Sequence, residues 1–197
     1  KIMGIKLFTN SDCECIIHLY EKYGIDYTVN ALDGVFAFIL IDYDTNKIFI
    51  ARDQFGVRPL FYLSNNSSQE KNNMLGFSSE MKQLHIFSRD IKEFNYKGLN
   101  NYKVNLFQPG SYMSLKSVNN EWIIDENIKF ANFHLSRINP PNEDMNENVI
   151  IQNIHDIFCE AIYKRVTTSD RPIACLLSGG LDSSIVAAIV SKIYNKP

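Results

Sequence analysis

Apolar positions along this chain switch between two periods. Ile16, Ile17, Leu19, Tyr20 and Tyr23 recur at helical spacing behind Ser11-Asp12-Cys13-Glu14, and Gly24 closes the run. Ser11 and Glu14 predict a capping box, with Asp12 at the first helical position, where the helix dipole favours a carboxylate. From Gly34 the pattern turns to strands. Val35 to Ile41 is β-rich and apolar on both faces, which predicts a strand buried between layers. Asp42 to Asn46 reads as a turn and Lys47 to Arg52 as the returning half of a hairpin. Pro59 to Leu63 and Leu75 to Ser78 predict short strands. Ser79 to Leu84 predicts a short helix capped by Ser79. Gly110 to Leu115 and Trp122 to Ile124 alternate like a late hairpin, while Gly98 to Asn105 shows no clear period.

The helical period returns after a polar, proline-bearing stretch. His134 to Asn146, with Asn139-Pro140-Pro141-Asn142, predicts an interdomain linker. A helix is predicted to begin near Glu143. Val149, Ile150, Ile154, Ile157, Phe158, Ala161, Ile162 and Val166 form its apolar stripe. Ile173 to Leu177 predicts a buried strand and Ile185 to Ile193 a closing helix. The expected organisation is therefore one domain over 1–133, a linker over 134–146 and the start of a second domain over 147–197. No repeat occurs at solenoid periods.

Between that last strand and helix lies Leu177-Ser178-Gly179-Gly180-Leu181-Asp182-Ser183-Ser184. Glycines let a backbone approach a ligand closely, and a helix N-terminus favours an anion. The serine hydroxyls add donors, and Asp182 can hold a divalent metal bridging phosphates. No lysine follows the glycines, so the loop is a poor match to the Walker type. A pyrophosphate site is the expectation. A doubly wound nucleotide fold needs several strands beyond this one, so the chain reads as a piece of a larger protein.

Composition narrows the picture further. Of 197 residues, 45% are hydrophobic and 21% charged, which is ordinary for a soluble domain, and the net charge is -2. No basic stripe supports nucleic-acid binding. No apolar run approaches the roughly 20 residues that span a bilayer. Cys13, Cys15, Cys159 and Cys175 make no zinc pattern; Cys159 reads as buried in a helix and Cys175 in a strand. Reduced thiols in a cytosolic protein are the simplest account. Cys15 and His18 lack a third orienting group, so packing is expected of them. His85, His134 and His155 have no matched partners in sequence. Arg52 and Asp53 are expected to fix a loop by ion pairing.

Ala51-Arg52-Asp53-Gln54-Phe55-Gly56-Val57-Arg58-Pro59-Leu60-Phe61-Tyr62 resembles a segment of class II glutamine amidotransferase domains. Leu32-Asp33-Gly34-Val35-Phe36-Ala37-Phe38 is similar to the strand before it in that family. The glycine loop resembles that of PP-loop ATP pyrophosphatases. Together, in this order, they resemble the glutamine-hydrolysing asparagine synthetases, over nearly the whole chain. The resemblance implies an α+β glutaminase portion, the C-terminal part of an αββα N-terminal-nucleophile sandwich. After it would come the first helix and strand–loop–helix of a PP-loop doubly wound α/β domain. It implies an ATP-dependent ligase with ATP and Mg2+ as cofactors and glutamine and aspartate as substrates. Ammonia released from glutamine would attack β-aspartyl-AMP to give asparagine, AMP and pyrophosphate.

By the same resemblance Asp12 matches the aspartate that binds the glutamine α-amino group; by its own position it only favours a helix start. Ser178 to Ser184 match the pyrophosphate loop, Leu177 a leucine beside the adenosine, and Asp182 the metal-binding carboxylate. The family's nucleophile is an N-terminal cysteine, whereas position 1 is Lys1, so no catalytic residue carries over. The glutamine-binding arginine and an Asn-Gly oxyanion segment are expected upstream of Lys1. A second phosphate motif is expected downstream of Pro197. The chain alone is expected to be inactive. Two other readings stay open: a β-lactam-synthetase-like enzyme adenylating another carboxylate, and a short non-catalytic binding or vestigial protein. The oligomeric state, a homodimer included, stays open too.

Overall fold

The computed structural model describes residues 7–65, 74–88, 102–119, 121–131 and 146–194. The chain divides into two units, Lys1–Phe133 and His134–Pro197. Content is mixed α and β, and all strand pairing is antiparallel.

In the first unit α1 runs over Glu14–Ala31 and is broken at Gly24, whose φ of 77° and ψ of 177° no helix accommodates. Gly24 thus ends one helix, as its position predicts, and a second begins at once. That restart has only Ile25 and Val29 as buried apolar residues behind it, with the buried Thr28 hydroxyl donating to the Gly24 carbonyl, so tertiary packing decides it. The expected capping box is not formed. Ser11 Oγ accepts from the Cys13 N–H at 3.3 Å. The Glu14 carboxylate reaches farther upstream, to the N–H groups of Phe8 and Thr9, each at 2.7 Å. The Thr9 hydroxyl first, then the Phe8 N–H, hold the Glu14 carboxyl down at about 2. Asp12 consequently stands two residues ahead of the helix.

Among the described residues seven strands make two sheets. In order of pairing, the larger sheet has β1 (Ala37–Asp42), β2 (Lys47–Arg52), β6 (Ser111–Val118) and β7 (Glu121–Lys129). The smaller has β4 (Met74–Ser78), β3 (Phe61–Asn65) and β5 (Tyr102–Leu106). The β1–β2 hairpin pairs Ala37 with Arg52 and Asp42 with Lys47. Asp42 closes its turn by accepting the N–H groups of Asp44 and Thr45.

Side-chain alternation gives the larger sheet two apolar faces. One presents Ile50, Met113 and Leu115 to Leu60 and Phe107, with Tyr62 and Phe77 of the smaller sheet. The other presents Phe49, Ala51 and Tyr112 to Ile25 and Val29 of α1. Tyr20 and Tyr112 fasten that helix by donating to Asp42 at 2.6 Å and to Asp26 at 2.8 Å. A short helix, α2 (Met81–His85), packs on β4, β3 and β5, with Leu84 buried where a side chain at Gly76 would point. Glu80, not Ser79, is its N-cap residue, and no side chain caps it.

A further expectation about this unit fails. β1 is an edge strand, and Ile39 and Ile41 are exposed. Phe38 and Leu40 pack towards α1, and on the alternate face only Ala37, at the start of the strand, packs against the other core.

The second unit holds α3 (Glu147–Thr167) and α4 (Leu181–Ile193) packed together. The predicted start of α3 at Glu143 lies outside the described residues. Asn146 caps α3 by accepting the Asn148 N–H at 3.0 Å. The predicted stripe is largely exposed, with Ile154 at 63% and Ile157 at 69%, while Ile162 is buried. The predicted buried strand is also absent. Residues 172–178 pair with no strand, and Leu176 is 95% exposed. An extended segment buries both its faces only when neighbouring strands flank it and helices cover the sheet, and among the described residues this unit supplies no such strand. Cys175 is accordingly exposed, and Cys159 is half-buried on α3.

Candidate functional site

Two places carry the candidate residues, one in each unit. In the first, α1 and the chain entering β1 form a groove of about 670 Å³. Asp12, Cys13, Gly34, Phe36, Arg58 and Pro59 are among the residues that line it. Asp12 is exposed, ahead of the helix. A groove whose lining includes a carboxylate, a guanidinium and apolar side chains can receive a small zwitterion.

The turn bearing Arg58 is held by Arg52 and Asp53. Arg52 is buried, and its guanidinium donates to the carbonyls of Arg58 at 2.7 Å, Phe107 at 2.6 Å and Gly56 at 2.6 Å. Asp53 is 1% exposed. Its carboxylate accepts the N–H groups of Phe55, Val57 and Arg58 at 3.0–3.1 Å. Burial pushes the Asp53 carboxyl up, but the N–H groups of Val57, Arg58 and Phe55 outweigh it and the net direction is down. Its carbonyl accepts from Gly56 and Gly110. The expected Arg52–Asp53 ion pair is therefore replaced by two sets of backbone bonds that grip one loop. The reason is supply: a tight turn strands carbonyls and N–H groups that each charged end satisfies better than its neighbour would.

Cys15 and His18 do not form a thiolate pair. The Cys15 thiol donates to the Asp12 carbonyl at 2.8 Å, and burial first, then Asp12, pushes its pKa up. His18 instead contacts Glu14 at 3.2 Å and Glu21 at 3.7 Å.

The second place is the glycine turn into α4. Gly179 has φ 82° and open space where a side chain would lie. Gly180 is the N-cap residue, and no side chain caps the helix. The Ser178 and Ser183 hydroxyls lie 3.0 Å apart, and Ser183 and Ser184 donate to the Gly180 carbonyl. Asp182 is exposed in the first turn, with Leu177 and Leu181 exposed beside the loop. Hydroxyls and the uncapped first-turn N–H groups thus lie together at one helix end, which suits an anion with many acceptor oxygens. Among the described residues no group of three His, Cys, Asp or Glu side chains could hold a metal ion. A divalent cation here would take one protein carboxylate and find its other oxygens on the anion and in water.

Two features escape the sequence reading. Arg58 lines the Asp12 groove from a turn that Arg52 ties to Phe107, 55 residues on. His155, unpartnered by that reading, contacts Asp156 and Cys159; the spacing of four to Cys159 on a helix was the available signal. His134 lies outside the described residues. Among the described residues no helix is long and apolar enough to cross a membrane.

Comparison with known proteins adds the following. The family model described as glutamine amidotransferase domain matches residues 1–123, and that described as asparagine synthase matches 153–197. Asparagine synthetase [glutamine-hydrolyzing] of Pongo abelii is 37% identical over 195 residues, covering 93% of this chain and 32% of the relative. The Homo sapiens protein of that name gives 37% over 195 residues, again 93% and 32%. The Gallus gallus protein gives 36% over 203 residues, 98% of this chain and 34% of the relative. The chain thus spans about a third of the length of these relatives.

Proposed function

The chain belongs to the glutamine amidotransferase domain family, and from that premise we propose that it is part of a glutamine-dependent asparagine synthetase. In that reaction glutamine hydrolysis supplies ammonia, ATP adenylates aspartate to β-aspartyl-AMP, and ammonia displaces AMP to give asparagine, with pyrophosphate released earlier. One observation carries the reading. Two matched segments, 1–123 and 153–197, stand in one chain in that order, and the identity to the relatives runs through both.

On this reading residues 1–133 are the glutaminase portion of an αββα sandwich, 134–146 a linker, and 147–197 the start of a PP-loop domain. Asp12 receives the glutamine ammonium at its exposed position in the groove lining, where water still solvates the rest of the ligand. Ser178 to Ser184 hold the ATP phosphates against the uncapped end of α4. Leu177 offers its exposed apolar side chain to the adenosine. Asp182 is the protein ligand for Mg2+, which supplies charge neutralisation of the phosphates when bound. For these residues the donor set is the support: hydroxyls, amides and one hard carboxylate oxygen suit phosphate and Mg2+.

Paired variants of the full-length protein test the division of labour. Asp182→Ala is expected to abolish ATP-dependent synthesis, by about 100-fold or more, while glutamine hydrolysis continues. Asp12→Ala is expected to raise KM for glutamine and to spare synthesis from free ammonia. Equal loss of both activities in either variant would overturn the assignment.

A further inference from the structure

Away from both candidate sites, about two turns of α3 carry four polar side chains in series. Gln152 Nε2 donates to Asp156 Oδ1 at 2.8 Å. Asp156 Oδ1 lies 3.0 Å from His155 Nδ1. His155 Nε2 lies 3.6 Å from Cys159 Sγ. A carboxylate only accepts, so the imidazole proton sits on Nδ1 and the Nε2 lone pair is left for the thiol. Gln152, one turn earlier, fixes the rotamer of Asp156 as Asp156 fixes the ring. By helical spacing these four residues lie on the side of α3 away from Ile150, Ile154, Ile157 and Ala161, with Ile162 and Val166 of the predicted stripe beside them. His155 and Asp156 are exposed and Cys159 is half-buried, which leaves the sulfur reachable.

We propose that this relay makes Cys159 a site of reversible mixed-disulfide formation with a low-molecular-weight disulfide. Nε2 takes the thiol proton, and the thiolate attacks one sulfur of the small disulfide. The new S–S bond forms as the old one breaks. The departing thiolate takes the proton back from the imidazolium. Cys159 is oxidised to the mixed disulfide, and half of the small disulfide leaves reduced as a thiol, so no other oxidant is needed. The remaining thiols lack such a relay. Cys15 gives its proton to a backbone carbonyl, and no imidazole contact is found at Cys13 or Cys175 among the described residues.

The expected gain is modest and measurable. The test treats the whole 197-residue chain at pH 7 with 2-hydroxyethyl disulfide, an uncharged probe, and follows each cysteine peptide by mass spectrometry. His155→Gln is expected to slow Cys159 by about fourfold while Cys13, Cys15 and Cys175 keep their rates. An unchanged Cys159 rate in that variant overturns the proposal. Rate changes at all four thiols would mean that the variant has lost its fold. Asp156→Asn, which keeps the ring, then decides: Cys159 slowing alone supports the relay, and an unchanged rate refutes it.

Discussion

Two turns of this chain each hold an aspartate beside glycine, and they use their polar groups in opposite ways. Around Asp53 every strong group is consumed internally. Three N–H groups go to the carboxylate, three carbonyls to Arg52, and the Asp53 carbonyl takes two more amides. Around Asp182 the carboxylate is exposed, the helix has no side-chain cap, and the hydroxyls answer mostly to one another and to one carbonyl. A buried polar group without a partner costs about 1–3 kcal/mol, so a closed set of bonds marks a turn built for stability. Open donors at a solvent-facing helix end cost little, so nothing has selected against leaving them for a ligand. The contrast separates the two aspartates by what surrounds them, although each stands in a distinctive motif.

The widest gap between the two turns should appear on removing one charge from each. Arg52→Ala strands three carbonyls and opens a hole beside Phe107, and is expected to cost unit one about 3–4 kcal/mol. Asp182→Ala, at an exposed position without a side-chain partner among the described residues, is expected to change stability by less than about 0.5 kcal/mol. Urea titration followed by the fluorescence of Trp122, the single tryptophan, reads the first; far-ultraviolet circular dichroism of the helices reads the second. Comparable losses at both positions would erase the distinction.

A gentler probe keeps the charges and adds one methyl group. Gly56 has φ 63°, and a Cβ there would lie 2.7 Å from Pro109 Cγ and 3.0 Å from Arg52 Cζ. Gly179 has φ 82° and nothing within 4 Å. Both substitutions incur left-handed strain of about 1 kcal/mol, and only Gly56→Ala adds overlap, for about 2–3 kcal/mol in all. The same denaturation measurements check the order. A Gly179→Ala variant as unstable as Gly56→Ala would mean that the open turn is packed in solution.

The same contrast explains what could be read in advance. The glycine turn was legible because its chemistry is local: Ser178, Gly179, Gly180, Asp182 and Ser183 are neighbours in sequence, and helix α4 follows from its own period. The Gly24 break and the β1–β2 turn were legible for the same reason. The Asp53 turn was legible as a fixed loop but not in its manner of fixing, since Arg52 reaches Phe107 from 55 residues away. Likewise Asp12 could be matched, yet Arg58 and Pro59, which line the same groove, come from a distant strand connection. Burial was misjudged where it depends on what lies alongside. Ile39 and Ile41 on an edge strand, and Leu176 before the turn, are as apolar as core residues and stand exposed. Periodicity says which face is apolar; it does not say what covers it.

The smallest expected change in stability carries the sharpest test of the open turn. Asn146 caps α3 with its side chain, whereas Gly180 leaves α4 without one. Gly180 has φ -79° and ψ 165°, which any residue adopts, and a Cβ there would meet only Ser178 Oγ at 3.6 Å. Gly180→Asn therefore fits without strain and can cap α4 as Asn146 caps α3, gaining a few tenths of a kcal/mol. That cap would occupy the N–H groups that a phosphate needs and bring a carbonyl dipole against the anion. In the full-length protein the variant should melt slightly higher and show KM for ATP raised by roughly tenfold, about 1.4 kcal/mol of lost binding. Better stability with unchanged KM would mean that the end of α4 is not where the phosphates bind. A turn left uncapped when a one-residue change would cap it is what a ligand site requires, and this substitution sets the two demands against each other.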